Sequence, residues 1–204
     1  PVHFGSLMSI CSIKFAELAQ HLQVYKGRLV YRGDCAKDEW GAAALYQELN
    51  ASPTSVATTN STIAYGTLPG NKVSTADAVK AYVQAHLKSE HPTWIALPPE
   101  LWPEEWKTKG YRRPVVRLIK ALYGHPESGA HWEKHFEDIL KDPENGFDAV
   151  PAVDRPSTYW IPKDKLLLTV YVDDLLLAGP SEAHAAFWKK LEAKVDMEEV
   201  TPLS

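Results

Sequence analysis

The segment KLLLTVYVDDLLLAGP, Lys165 to Pro180, constrains the chain more than any other, because two β-prone apolar runs flank an adjacent pair of aspartates. Such runs predict two buried strands, and the polar pair between them predicts the turn of a tight hairpin. The run from Leu166 to Ala178 is too short for a bilayer and is split by Asp173 and Asp174, so it does not read as a membrane helix. A bare Asp-Asp pair is ordinarily a solvated turn, since Asp is a common turn residue. Placed between two Leu-rich strands, the pair reads differently. Desolvating adjacent carboxylates without a cation costs on the order of several kcal/mol per charge, so a cation is expected there.

Hard oxygen ligands suit Mg²⁺ or Mn²⁺. Two such ions about 3.5–4 Å apart can activate an attacking hydroxyl and steady the leaving oxygen of an in-line phosphoryl displacement. That chemistry needs a third carboxylate from elsewhere in the chain. Asp77 is the natural donor, because Lys72 to Ala76 predicts a short strand that delivers it at its end, where a sheet can lay it beside the hairpin.

The remaining pattern is mixed helix and strand with no internal repeat. Tyr25 to Arg32 predicts a strand presenting Lys26, Arg28 and Arg32 along one side. Tyr65 to Asn71 predicts a turn, and Ala78 to Leu87 a short helix. A helix over Gly129 to Lys141 would be capped by Ser128 and stopped by Pro143, and another over Glu182 to about Val195 would start behind Ser181. The Ser/Thr-rich stretch from Ser52 to Thr62 reads as a poor helix former.

A chain of 204 residues builds one sizeable domain or two small lobes. Its net charge of −4 argues against a simple nucleic-acid coat, but the distribution matters more than the sum. Lys107, Lys109, Arg112, Arg113, Arg117 and Lys120 follow one another with no acid between them, and Lys26, Arg28 and Arg32 form a second cluster. Either cluster alone is equally well a solvated face. Cys11 and Cys35 fit no metal-ligand spacing and point to a reducing compartment. No secretion signal is visible and the first residue is not Met, so the chain reads as a fragment. His131 and His135 are spaced for a zinc ligand pair, but no HExxH or companion Cys/His cluster supports that reading and an exposed aromatic-rich helix face explains them equally well.

With these residues in view, the sequence resembles the reverse transcriptase of copia-type long-terminal-repeat retrotransposons. The resemblance runs from about Tyr25 to Ser204. KGRLVYRGD (Lys26 to Asp34) resembles the fingers strand, and Ala51-Ser52-Pro53-Thr54 stands where the family has Phe-Ala-Pro. ADAVKAYVQA (Ala76 to Ala85) resembles the first catalytic motif, and WIALPPE (Trp94 to Glu100) and VVRLIKALYG (Val115 to Gly124) resemble later ones. GFDAVPAVDRPSTYW then leads into the YVDD box.

The resemblance implies an α+β fold of fingers and palm, the palm a ferredoxin-like antiparallel sheet backed by helices. About 1–70 and 88–120 would be fingers-like and about 71–87 and 121–204 palm-like, in one domain truncated before the thumb. Asp77, Asp173 and Asp174 become the catalytic carboxylates on two Mg²⁺ ions, or Mn²⁺, with the carbonyl of Ala78 as a further ligand. Tyr82 would close the sugar pocket, although core packing is its competing reading. Lys26, Arg28, Arg32 and Glu127 would lie by the nucleotide, and Tyr171, Arg112, Arg113, Arg117 and Lys120 along the nucleic acid. The implied partners are an RNA or DNA template with primer, deoxynucleoside triphosphates, and the integrase and ribonuclease H segments of a pol polyprotein, with no membrane. The implied location is the cytoplasm, in a virus-like particle, or the nucleus.

The pattern also has departures. Glu127 stands where the family has Gln, Gly129 where it has Pro, and Ala130 where it has Arg. A carboxylate is unwelcome beside a triphosphate unless it turns away or finds a cation. A non-catalytic, decayed remnant that at most binds nucleic acid is therefore the rival reading, and a metal-dependent phosphodiesterase a third.

Overall fold

The computed structural model describes residues 1–46 and 53–203, so Ala51 and Ser52 of the Phe-Ala-Pro comparison lie outside the described residues. In chain order the strands are β1 (His3–Lys14), β2 (Val24–Tyr31), β3 (Lys37–Asp38), β4 (Asn71–Asp77), β5 (Thr93–Ala96) and β6 (Val115–Arg117). They continue with β7 (Val150–Pro151), β8 (Thr158–Ile161), β9 (Leu166–Tyr171), β10 (Asp174–Pro180) and β11 (Thr201–Pro202). The helices are α1 (Val56–Gly66), α2 (Ala81–Gln84), α3 (Glu104–Thr108), α4 (Ser128–Lys141) and α5 (Ala183–Glu192). The fold is mixed α and β. Among the described residues no helix is long and apolar enough to cross a membrane.

The chain divides into two compact units. The first comprises Pro1–Glu48 and Leu87–Ser128 and is built on a sheet in the order β2-β1-β5-β6, with β3 added to β1. Its small core gathers Tyr31, Ala36 and Ile95 with Leu7, Val116, Leu118 and Leu122. The second comprises Leu49–His86 and Gly129–Ser204 and is built on an antiparallel sheet in the order β11-β4-β10-β9-β8-β7.

Period-two alternation divides the second sheet into two faces. Ser74, Ala76, Leu168, Val170, Leu175 and Leu177 share one face, and all are buried. The apolar stripes of α4 (Trp132, Phe136, Leu140) and α5 (Phe187, Leu191) are buried too. Each fully covered side chain of this size contributes about 1.5–3 kcal/mol. The other face carries Thr75, Asp77, Thr169, Tyr171, Asp174 and Leu176, and α1 lies against β4, β9 and β10.

Several elements depart from what the sequence predicts. The Ser/Thr-rich stretch does form a helix. Ser55 Oγ accepts the N–H of Thr58, while the hydroxyls of Thr59, Ser61 and Thr62 donate to carbonyls four residues back. Polar side chains that would compete with the helix are thereby spent within it. Burial of Thr58, Thr62 and Gly66 along one stripe completes the packing, and a Cβ at Gly66 would collide with Val73. This helix also absorbs Tyr65 and Gly66 from the expected turn.

The helix expected over Ala78 to Leu87 shrinks to α2. Lys80 sits in the left-handed region at φ 52°, and the N–H groups of Ala78 and Val79 are drawn off to the carbonyls of Asp173 and Asp196. Neither expected serine cap forms. Ser128 begins α4 itself and spends its hydroxyl on both backbone groups of Leu122. Ser181 gives its N–H to Gly70, and α5 starts behind Glu182 without a side-chain cap.

Candidate functional site

β9 and β10 form the expected hairpin, with Tyr171 opposite Asp174 across a two-residue turn of Val172 and Asp173. On its other side Asp174 stands in register with Asp77, the last residue of β4. The two carboxyl groups come from residues nearly one hundred apart, yet strand pairing places them directly opposite one another on one face.

Backbone bonds fix this end of the sheet. The Ala78 N–H donates to the Asp173 carbonyl at 2.8 Å, and the Glu198 N–H donates to the Asp77 carbonyl at 2.8 Å. Val172 occupies the left-handed region at φ 59°, a conformation uncommon for a β-branched residue. Its carbonyl accepts the indole N–H of Trp132 at 2.7 Å. The side chain of Gln84 donates to the carbonyls of Val79 and Asp196 and accepts the Asp196 N–H, so it pins the loop that follows Asp77. Neither Trp132 nor Gln84 was singled out from the sequence as a site residue. The only signal for Trp132 was its place in an apolar stripe, which says nothing of where its N–H points.

Negative charge is concentrated at this end of the sheet. Burial pushes the Asp174 carboxyl above the usual carboxylate range, and the charges of Asp173 and Asp77 add to it, together with a hydrogen bond to Asp77. Asp174 therefore holds its proton to higher pH than an ordinary carboxyl does. Tyr82 is also pushed up, by burial first and then by the charge of Asp173, which puts its ring within electrostatic reach of the turn. The oxygen-only donor set and the surplus negative charge fit a hard divalent ion. As the side chains stand, no group of three or more His, Cys, Asp or Glu among the described residues is arranged to hold an ion. Asp77 and Asp174 are brought together, Asp173 is close enough to be felt, and Ala78 adjoins them with its N–H spent on Asp173. His131 and His135 likewise find no third partner for zinc among the described residues.

A cavity of about 480 Å³ opens beside the carboxylates, between α1 and the sheet, with Thr54, Thr169 and Tyr171 in its lining together with Asp77 and Asp174. The hydroxyls of Thr54 and Thr169 are buried there without a hydrogen-bond partner, so a ligand has two polar groups to satisfy.

The family model for reverse transcriptase (RNA-dependent DNA polymerase) matches residues 14–204. The chain belongs to the reverse transcriptase family. Its structure is also similar to a telomerase from Candida albicans solved in complex with the TWJ fragment of telomeric RNA, at 10% identity and a TM-score of 0.39. That likeness covers 100% of this chain and 42% of the telomerase chain.

The other residues expected at the site belong to the first unit. Lys26 and Arg28 lie on β2, and Arg32 follows it. Arg32 pairs with Asp34 at 3.3 Å and donates to Cys35 Sγ at 2.9 Å, both on the exposed surface. Arg112 and Arg113 precede β6, Arg117 ends it, and Lys120 follows. The acids missing within the basic stretch stand just before it, on α3, where Glu104 pairs with Lys107 at 2.9 Å and Glu105 with Lys109 at 3.7 Å. Glu127 is buried at 3% exposure, its N–H donates to His125 Nδ1, and its charge is felt by His3 and Tyr46. Its carboxylate thus belongs to the interior of the first unit.

Proposed function

We propose that this reverse-transcriptase domain catalyses template-directed DNA synthesis, the attack of a primer 3′-hydroxyl on the α-phosphorus of a deoxynucleoside triphosphate with release of pyrophosphate. The observation that carries the reading is the registered pair Asp77 and Asp174 beside Asp173, with the Asp174 carboxyl raised by burial and by its acidic neighbours. Carboxylates forced together in this way favour a divalent cation over the proton as pH rises. Mg²⁺ bound there would supply an acidified 3′-hydroxyl and neutralise charge on the leaving pyrophosphate.

The chain's own part is to hold the carboxylates on paired strand ends and to wall the site. Tyr82, close to Asp173, would stand against the sugar of the incoming nucleotide, and Tyr171, exposed beside Asp174, against the primer. The second unit would then serve as palm and the first as fingers. The order of motifs supports a copia-type retrotransposon as the source, and hence a pol polyprotein with integrase and ribonuclease H as neighbours. Arg112, Arg113, Arg117 and Lys120 would follow the template–primer backbone.

Primer extension on an RNA template with Mg²⁺ tests this, with Asp173→Asn as control. Incorporation by the wild type that is lost in the variant supports synthesis, whereas equal incorporation by both ends the reading. No incorporation by either, with nucleic-acid binding retained, would mark a decayed remnant.

A further inference from the structure

We infer that Trp132 is a positioning residue of the carboxylate hairpin: its indole N–H holds the strained turn that presents Asp173 and Asp174. The inference rests on the proposed metal site, but its geometry does not. The two turn residues have one carbonyl each, and each carbonyl is held from a different side. Asp173 O accepts the N–H of Ala78, at the end of the strand that carries Asp77, and Val172 O accepts the N–H of Trp132, on α4. A two-residue hairpin turn with its first residue at positive φ ordinarily takes Gly, Asn or Asp there. This turn has Val172 at φ 59°. Backbone in that region persists only where the surroundings over-determine it.

Trp132 is suited to that task. It is 2% exposed, its ring packs on Phe136 at 5.4 Å between centroids, and Leu140 continues the same buried stripe one turn further on. A side chain so enclosed has little freedom to re-aim its N–H. The bond also places an otherwise orphaned donor, since an indole N–H at this depth is costly to leave unmet. A narrow cavity beside the ring has Val172, Val170 and Tyr82 among its walls, so there is space next to the turn into which it can relax once the bond is gone. Phe at this position keeps the aromatic packing and removes only the donor.

Trp132→Phe is expected to keep the thermal midpoint within a few degrees, yet to speed hydrogen exchange of the amides from Tyr171 to Leu175 by about tenfold. Mn²⁺ affinity and kcat for primer extension should fall by about tenfold to a hundredfold, the range seen when a ligand's orienting partner is lost, with KM for template–primer unchanged. In Trp132→Gly, added indole should restore part of the activity, while indene, of the same shape but without an N–H, should not. Unchanged exchange in Trp132→Phe, or equal rescue by indene and indole, would reduce Trp132 to packing and overturn the inference. A wild type that binds no Mn²⁺ while Trp132→Phe still loosens the turn would instead sink the metal site and leave the clamp standing.

Discussion

Two polar groupings stand on the same sheet and obey opposite rules. At one end of β4, Asp77 faces Asp174 beside Asp173, and the acidic neighbours raise the Asp174 carboxyl. Three residues earlier on that strand, Ser74 accepts the N–H of Trp188 at 2.8 Å and donates to His184 Nδ1 at 2.7 Å, and His184 Nε2–H donates to the Gly179 carbonyl at 3.2 Å. Because a carbonyl can only accept, Nε2 carries a proton, and in the neutral ring Nδ1 then accepts the Ser74 hydroxyl. Burial pushes His184 below the usual histidine range, in agreement. The network is closed and needs nothing from outside, whereas the acids are incomplete without a ligand. Polar groups left in conflict beside a network that is satisfied on the same sheet mark a place where function was fitted in.

The largest effect expected from this contrast is catalytic. Asp173→Asn should lower primer extension beyond the ~100-fold that a merely mis-oriented ligand costs, with the circular dichroism spectrum unchanged. The next is structural and falls on the other grouping. Ser74→Ala leaves two buried partners unmet and should cost about 1–3 kcal/mol in urea unfolding, with extension per folded molecule unaltered at a temperature where the variant is folded. A loss of activity without loss of stability there would break the contrast.

A smaller effect is the response to metal. At a hundredfold excess over its Kd, Mg²⁺ should stabilise the wild type by about 2.7 kcal/mol in thermal unfolding, and Asp77→Asn should abolish the gain while His184→Ala keeps it. The smallest is the pH dependence without metal, in which the groupings pull in opposite directions. His184 is depressed, so its contribution is present above the unfolded histidine value and is lost as pH falls. Asp174 is raised, so its contribution is present below the unfolded carboxyl value and is lost as pH rises through the folded one. Asp174→Asn should therefore flatten the acid side of the stability profile and slightly raise the midpoint at neutral pH, and an unaltered profile would show that the Asp174 carboxyl is not raised in the fold.

Much of this was legible in the letters. Alternation and the Asp-Asp interruption gave the β9–β10 hairpin, and the short run before Asp77 gave β4, because strand period and turn composition are local properties. The pairing of Asp77 with Asp174 was legible only as a chemical need, since register between distant strands is decided by which faces can be buried together. α1 was missed because its Ser and Thr hydroxyls bond back along the helix and its buried stripe lies on the sheet, both tertiary outcomes. The fate of the basic residues was missed for a similar reason. Arg32 is answered by Asp34, and Lys107 and Lys109 by acids one helical turn earlier, so a run of like charge in sequence is partly neutralised in space. Trp132 was placed correctly in its stripe, but its role depends on a carbonyl forty residues away.

Titration with Mn²⁺, followed by electron paramagnetic resonance of the free ion, tests the central claim most directly. The account predicts saturable binding by the wild type, weakened by more than about tenfold in Asp77→Asn and in Asp174→Asn and untouched in His184→Ala. Equal affinity in all four proteins, or none in the wild type, would contradict it.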